Sequence, residues 1–250
     1  MMQISTLKNA MGERIDFTFE VGRERPDVVI VIGHGVTANK DRAWAVALMD
    51  ALTQSGLGAL RFSFAGNGAS AGRFEDSCPS KEADDLRAVL KAVRQAGAEQ
   101  IAYVGHSMGA AVGVMVAAQP QPGDVALDAL VSLGGMVHTA DFAFRKFGEQ
   151  KPGNSLMWDK PECPLSQAFI DDMNKVHSVL PLAERIEIPW YLVHGSADTV
   201  VPPEESKRIA ATVSQALVEV LPEVDHVFSG AAAAEMAVRV TRWLGHQFDA

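Results

Sequence analysis

The sequence predicts an α/β fold in which a mostly parallel central sheet is covered by helices on both faces. Two observations predict it. Short β-branched runs alternate with longer helical patterns along most of the 250 residues, and the middle runs are apolar throughout, as strands buried from both sides must be. A chain of this length with 48% hydrophobic residues is large enough to bury one core. We therefore expect a single domain over residues 1–250.

The expected strands cover residues 14–20, 28–32, 59–64, 101–105, 129–133, 189–194 and 217–221. Between them, apolar residues spaced three and four apart predict helices at 43–55, 81–95, 107–118, 203–213 and 232–248. The second of these helices has one apolar stripe, made of Leu86, Val89, Leu90 and Val93. Residues 135–188 are far longer than a normal connection, so we expect an irregular, cap-like insertion over the sheet edge.

Composition excludes several classes of protein. Lys and Arg number 22 against 31 Asp and Glu, a net charge of −9, which disfavours nucleic acid as a partner. Cys78 and Cys163 cannot form a disulfide framework and lie outside any zinc-binding spacing. The amino terminus lacks the pattern of a secretory signal, and no apolar run approaches the ~20 residues of a membrane span. We expect a cytoplasmic protein without membrane or nucleic-acid partners. If the chain assembles, a homodimer is the expected form.

A serine stands at the corner of a predicted strand, turn and helix. The strand at 101–105 runs into Gly-His-Ser-Met-Gly at 105–109, and an Ala- and Val-rich helix follows. This arrangement is typical of a nucleophile elbow. The strained turn requires small neighbours two positions before and after the serine, which Gly105 and Gly109 supply. Ser107 is the predicted nucleophile; the alternative is a Gly-rich turn that only packs a helix closely on the sheet.

An acid and a base follow in the order that such a nucleophile needs. Asp198 comes after the strand at 189–194, and His226 comes after the strand at 217–221. Because parallel strands end at one edge of the sheet, all three side chains should meet there. His226 would take the proton of Ser107 while Asp198 orients the imidazole. Asp225 adjoins His226, but successive side chains in an extended loop point apart, so we expect it to be a solvated turn residue.

Two backbone amides are expected to hold the oxyanion, those of Met108 and Val36. Val36 lies in the loop GHGVTANKDR after the strand at 28–32, and the alternative for this loop is a simple Gly-rich turn. The histidines beside strand ends are expected to be structural; they are His34, His106 and His194. The residues expected in the substrate pocket are His34, Phe142 and Trp158.

Residues 33–38 (GHGVTA) and 66–71 (GNGASA) also fit the dinucleotide fingerprint G-x-G-x-x-G/A. An oxidoreductase is nevertheless disfavoured, because the strand after the first match ends in RFSFAG without a ribose-binding acid and the second match opens a polar loop. A third class is an inactive binding protein that keeps the fold. The complete set of serine, acid and histidine argues against it.

In chain order, HGVTANKDR, GHSMG, HGSADTVVP and DHVF resemble the α/β-hydrolase superfamily across nearly the whole chain. HGVTANKDR and RFSFAGNGASAGRFED are similar to small bacterial serine esterases of the cinnamoyl and feruloyl type. The resemblance implies the α/β-hydrolase fold and the same roles for Ser107, Asp198, His226 and the two amides. Where Ser63 and Asn67 stand, such relatives more often have aspartate and histidine, departures that we expect to leave hydrolysis intact.

The expected function is hydrolysis of a small-molecule ester through an acyl-enzyme, with no metal or organic cofactor. A thioesterase or amidase would use the same residues. The insertion is rich in aromatic residues, which would either contact an apolar acyl or aryl group or form a small core of their own; they are Phe142, Phe144, Phe147, Trp158 and Phe169. Three lysines of the insertion could meet a carboxylate on the substrate, although scattered lysines are more typical of solvated surface; they are Lys146, Lys151 and Lys160.

Overall fold

The computed structural model describes residues 2–249, which contain one central sheet. Its strands are β1 (Phe17–Glu20), β2 (Arg25–Gly33), β3 (Leu57–Phe62), β4 (Gln100–His106), β5 (Ala129–Leu133), β6 (Trp190–Gly195) and β7 (Ala216–Leu221). Their order is β1-β3-β2-β4-β5-β6-β7. Only the β1–β3 pair is antiparallel in this sheet; every other neighbouring pair is parallel. The predicted α/β fold with a mostly parallel sheet is confirmed.

The helices are α1 (Ala43–Gln54), α2 (Pro79–Gln95), α3 (Met108–Ala118), α4 (Thr139–Phe147), α5 (Gln167–Val176), α6 (Leu180–Ala183), α7 (Glu204–Thr212) and α8 (Ala231–Phe248). Short 3-10 helices span Phe74–Asp76 and Met157–Asp159. The five predicted helices correspond to α1, α2, α3, α7 and α8. None of the helices within residues 2–249 combines the length and apolarity that crossing a membrane requires.

The first strand is shorter than predicted. Residue 14 was expected to begin it, but β1 begins at Phe17. Arg14 instead pairs with Lys8 in an isolated bridge, and its carbonyl accepts a hydrogen bond from the amide of Ala71. The backbone of this stretch is therefore already paired before it reaches the sheet.

Two apolar clusters cover the two faces of the sheet. In β2, Val29 and Val31 belong to the cluster shared with α2 and α3, while Ile30 and Ile32 belong to the cluster shared with α1 and α8. This alternation follows from the two-residue period of a strand. Because both faces are covered, the site must lie at an end of the strands, where β4, β6 and β7 lead into loops.

Residues 135–188 form the cap segment, and the expectation that it is irregular was wrong. It contains α4, α5 and α6 together with the 3-10 helix Met157–Asp159. The side chains of Phe142, Phe147 and Phe169 are buried in a third apolar cluster. That cluster extends onto Met108, the first residue of α3, and onto Val201, beyond the end of β6. The cap segment therefore packs directly over the carboxyl ends of the central strands.

Candidate active site

Ser107 occupies the sharp corner between β4 and α3. Its backbone has φ 55° and ψ −120°, a region that L-residues rarely adopt and that costs free energy unless the surroundings impose it. A Cβ added to Gly105 would lie 2.4 Å from the carbonyl oxygen of Gly109, and one added to Gly109 would lie 2.4 Å from the carbonyl oxygen of His34. Both positions therefore require glycine. The predicted sequence of strand, turn and helix is present, with the serine at its apex.

The loop after β2 lies against this serine. A Cβ on Gly35 would be 2.7 Å from the Cβ of Ser107 and 3.2 Å from its Oγ. The next residue, Val36, lines the same cavity as Ser107. Within residues 2–249, neither the Val36 amide nor the Met108 amide donates to another protein group. Both amides are thus available for a ligand, as an oxyanion hole requires.

His34 fixes the peptide that carries the Val36 amide. The amide of Phe64 donates to His34 Nε2 at 3.0 Å, so Nδ1 carries the ring proton and donates to the Gly35 carbonyl at 2.8 Å. Burial, more than any other cause, lowers the pKa of His34 to about 4, which keeps the ring neutral. Because a trans peptide directs its C=O and N–H to opposite sides, holding the Gly35 carbonyl also holds the Val36 N–H.

This arrangement corrects the expectation that His34 belongs to the substrate pocket. The side chain is 1% exposed and lies outside the wall of the cavity that contains Ser107. Both ring nitrogens are occupied by the backbone. His34 is therefore a structural residue, as its position beside a strand end also predicted.

Asp198 and His226 meet at the carboxyl ends of β6 and β7. The distance from Asp198 Oδ2 to His226 Nδ1 is 2.7 Å, and Asp198 Oδ1 accepts the amides of Val200 and Val201 at 2.8 and 2.9 Å. Burial alone would raise the pKa of Asp198. Hydrogen bonds from His194 and His226 outweigh it and hold that pKa well below its usual range. Asp198 is therefore a carboxylate at neutral pH.

The neighbouring acid has another partner. Asp225 Oδ1 accepts the amide of Ser229 at 2.9 Å, and that bond helps to hold the pKa of Asp225 below its usual value against the opposing effect of burial. The structure thus brings Asp198, rather than Asp225, to the imidazole of His226. The predicted separation of the two acids agrees with this geometry.

A cavity of about 160 Å³ contains both Ser107 and His226 in its wall. Among residues 2–249 no hydrogen bond joins the Ser107 hydroxyl to His226; such bonds are often long without substrate and shorten in the reacting complex. Much of the remaining wall is apolar, with contributions from Trp44, Ala38, Phe142, Trp158, Val200 and Val227.

The aromatic residues of the cap segment fall into two sets. Phe142 and Trp158 line the cavity, whereas Phe147 and Phe169 are buried in the core of the cap. Phe144 is 77% exposed and does neither. That Phe142 and Trp158 contact a substrate stays a prediction.

A family model described as the alpha/beta hydrolase family matches residues 28–239. The chain belongs to this family. The match includes Ser107, Asp198 and His226, as well as the two glycine-rich loops that fit the dinucleotide fingerprint. In this alpha/beta hydrolase, residues 33–38 form the loop beside the serine, while residues 66–71 form a turn closed by a hydrogen bond from Gly66 N to Ala71 O.

Two uncharacterised proteins of Mycobacterium tuberculosis strains are 26% identical to this alpha/beta hydrolase over 214 residues, which is 84% of the chain. The chain spans 66% of the length of these curated relatives. Solved structures resemble it more completely. Est1E from Butyrivibrio proteoclasticus, solved with ferulic acid bound, superposes with a TM-score of 0.86 at 20% identity, over 99% of this chain and 100% of that one.

A monoacylglycerol lipase of Paleococcus ferrophilus superposes with a TM-score of 0.71 at 19% identity, over 93% of this chain and 99% of that one. Mouse alpha/beta hydrolase domain-containing protein 10 gives 0.77 at 19% identity, over 98% and 99% of the two chains. At these identities the likeness concerns the fold. It confirms the α/β-hydrolase architecture that the motifs predicted.

Two histidines of this alpha/beta hydrolase support the candidate acid and base. His194 Nε2 lies 3.2 Å from Asp198 Oδ2 and 2.9 Å from the Val201 carbonyl, while its Nδ1 lies 2.7 Å from Ser206 Oγ. His106 Nε2 donates to the His226 carbonyl at 2.8 Å, and the two rings are 4.7 Å apart. Both were expected to be structural. That expectation omitted their direct contacts with Asp198 and His226, for which spacing along the chain offers no signal.

Burial lowers the pKa of His106 to about 3, and the charge of the adjacent His226 adds to that effect. A neutral His106 can pack on His226 without competing for its proton. Gly134 completes this side of the site, since a Cβ there would lie 3.3 Å from His226 Nδ1 and 3.4 Å from Asp198 Oδ2. Within residues 2–249, no group of three or more His, Cys, Asp and Glu side chains is arranged to hold a metal ion.

Proposed function

We propose that this alpha/beta hydrolase is a serine carboxylesterase that cleaves small apolar acyl or aryl esters. The observation that carries the proposal is the hydrogen bond of 2.7 Å between Asp198 Oδ2 and His226 Nδ1. It lies beside a cavity whose wall includes both His226 and Ser107. Ser107, Asp198 and His226 would be the nucleophile, acid and base of a Ser-His-Asp hydrolase, and they follow one another along the chain in the order that the fold uses.

In the first step, Ser107 Oγ attacks the ester carbonyl carbon and its proton passes to His226 Nε2. The carbonyl oxygen becomes an oxyanion, which the amides of Val36 and Met108 bind. Asp198 remains a carboxylate and stabilises the imidazolium through Nδ1. The tetrahedral intermediate then breaks its bond to the alcohol oxygen, which takes the proton from His226. The products of this step are the free alcohol and a Ser107 ester.

In the second step, water attacks the Ser107 ester and gives a proton to His226 Nε2. The same two amides bind the second oxyanion. The bond to Ser107 Oγ then breaks, Oγ recovers the proton from His226, and the carboxylic acid leaves as its anion. Apart from the ester and water, every group in this cycle belongs to the chain.

The choice of esters rests on the neighbours and on the cavity. Est1E was solved with ferulic acid bound, and the Paleococcus ferrophilus neighbour is a monoacylglycerol lipase. The wall formed by Trp44, Phe142 and Trp158 offers apolar surface for an acyl or aryl group. The same residues could attack thioesters and amides, so a panel that contains all three substrate classes is needed to distinguish them.

The test compares hydrolysis of p-nitrophenyl esters of increasing acyl length, a matched thioester and a matched anilide. Ser107→Ala should abolish ester turnover. Asp198→Asn should lower kcat by about 10⁴, because the imidazole then loses its orienting carboxylate. Asp225→Asn is the matched control and should stay within a few-fold of the parent. Equal losses at the two aspartates would refute Asp198 as the acid, and turnover in Ser107→Ala would refute the nucleophile.

A further inference from the structure

Two cationic side chains converge on one carbonyl oxygen at the active-site cavity. Arg42 Nη2 lies 3.2 Å from the carbonyl oxygen of Thr37, and Lys160 Nζ lies 3.3 Å from the same oxygen and 3.3 Å from Thr37 Oγ1. Arg42 precedes α1, whereas Lys160 belongs to the cap segment, so the two charges come from distant parts of the chain. Like charges this close repel each other unless an anion joins them.

Neither cation has an acidic partner within residues 2–249. Every ion pair of the described chain involves other groups. The acid nearest to Arg42 in sequence, Asp41, is already paired with Lys40 and Arg61. In a protein of net charge −9, two half-buried cations without counter-ions are an uncompensated positive site.

This positive site borders the reaction centre. Thr37 follows Val36, whose amide is the proposed oxyanion donor, and both Thr37 and Arg42 are in the wall of the cavity with Ser107. Lys160 lies outside that wall and reaches it through its contacts with Thr37. The charge of Arg42 also acts on His106, which packs on His226. Together with burial and the charge of His226, it lowers the pKa of His106.

The backbone on both sides is held in the left-handed region. Thr37 has φ 54°, and Trp158 and Asp159, which precede Lys160, have φ 50° and 55°. For residues with a Cβ this conformation is costly. Among these residues, Trp158 lines the cavity, and the adjacent Lys160 contacts Thr37.

We propose that the cavity takes an ester with an apolar body and one anionic end, and that Arg42 and Lys160 bind that anionic end. The proposal rests on the ester hydrolysis proposed above and adds the charge of the substrate. A carboxylate is the simplest such group, since the planar Arg42 guanidinium and the Lys160 ammonium both donate to carboxylate oxygens. The apolar wall then receives the chain or ring between the carboxylate and the scissile carbonyl.

Two isosteric pairs of probes test this on either side of the ester bond. On the acyl side, monomethyl glutarate is compared with its neutral amide, methyl 5-amino-5-oxopentanoate. On the alcohol side, 4-(butyryloxy)benzoate is compared with 4-(butyryloxy)benzamide. The readout is the ratio of kcat/KM for the acid to that for the amide, in the parent, Arg42→Gln and Lys160→Gln.

We expect Arg42→Gln and Lys160→Gln each to lower this ratio about tenfold or more in one of the two pairs, the size of a lost hydrogen bond to a charged group. Adding salt should lower the ratio in the parent, because partly exposed charges are screened. Lys151→Gln is the matched control: it removes the same charge from an exposed site of the cap segment and should leave the ratio unchanged. Ratios equal to the parent's in both pairs and both variants would overturn the proposal.

A binding measurement separates this proposal from the proposed hydrolysis. Calorimetry follows 4-(butyryloxy)benzoate and its amide binding to the Ser107→Ala protein, with and without Arg42→Gln. Preference for the acid that disappears with Arg42→Gln supports the anion site even if no ester is turned over. Ester turnover by the parent without any such preference would retain the hydrolase and reject the anion site.

Discussion

Glu82 on α2 is expected to make the stability of this protein fall as the pH rises. Its side chain is 1% exposed, and its Oε1 accepts a hydrogen bond of 2.8 Å from Ser77 Oγ. Oε2 has no partner within the described part of the chain. Burial raises the pKa of Glu82 from 4.5 to about 8, with a further contribution from the charge of Asp85. The folded protein therefore holds a neutral Glu82 at pH 7.

The magnitude follows from linkage. In the unfolded chain the carboxyl group loses its proton near pH 4.5, whereas in the folded protein it keeps the proton until about pH 8. The folded state thus binds more protons between these values, and the free energy of unfolding falls by about 1.4 kcal/mol for each pH unit there. The stabilisation is complete below pH 4.5 and is lost by about pH 8, a total of about 5 kcal/mol as an upper value.

Glu82→Gln removes this dependence because the amide cannot ionise. Urea unfolding at pH 5, 6, 7 and 8, followed by circular dichroism, should show the variant gaining on the parent at each step. Glu149→Gln, at an exposed glutamate, controls for the loss of one carboxyl group. If Glu82→Gln and the parent keep a constant difference from pH 5 to pH 8, then Glu82 is ionised in the folded state and the reasoning fails.

Two further predictions concern the site. Gly35→Ala would place a methyl group 2.7 Å from the Cβ of Ser107. It should lower kcat for p-nitrophenyl butyrate about 10²-fold or more, because small misplacements of reacting groups have effects of that size. The near-UV spectrum should be retained, and a parent-like kcat would contradict the prediction. His194→Asn should remove the donor 3.2 Å from Asp198 Oδ2, so the carboxylate should interact more strongly with His226. The acid limb of the kcat/KM profile should then move to higher pH. An unmoved limb at reduced activity would mean that His194 acts through packing alone.

The sequence predicts those parts of the site that depend on local pattern. The elbow is visible because Gly105 and Gly109 flank Ser107 between a buried strand and a buried helix, and a turn of that kind has few alternatives. Asp198 and His226 follow from the rule that parallel strands end at one edge. The helices α1, α2, α7 and α8 follow from apolar residues spaced three and four apart. The helix α3 is buried at nearly every position and follows from the elbow that precedes it.

The remaining parts depend on contacts between distant residues. In α4, the buried positions Thr139, Phe142, Ala143 and Phe147 have helical spacing. The side chains on which Phe147 packs are Trp158 and Phe169, which come from other parts of the cap segment. His34 is outside the pocket because its ring is bound by the backbone, in part through the amide of Phe64. Arg42 and Lys160 both contact the Thr37 carbonyl, which connects the cap segment to the loop after β2. Spacing along the chain carries no signal for either.

The central claim is that Ser107 is an activated nucleophile, and labelling with a fluorescent fluorophosphonate tests it most directly. This reagent forms a stable adduct with a serine whose hydroxyl is deprotonated by a neighbouring base. The folded parent protein should be labelled, and Ser107→Ala should not. Unlabelled but folded parent protein, or equal labelling of Ser107→Ala, would contradict the account and favour a protein that keeps the fold without the chemistry.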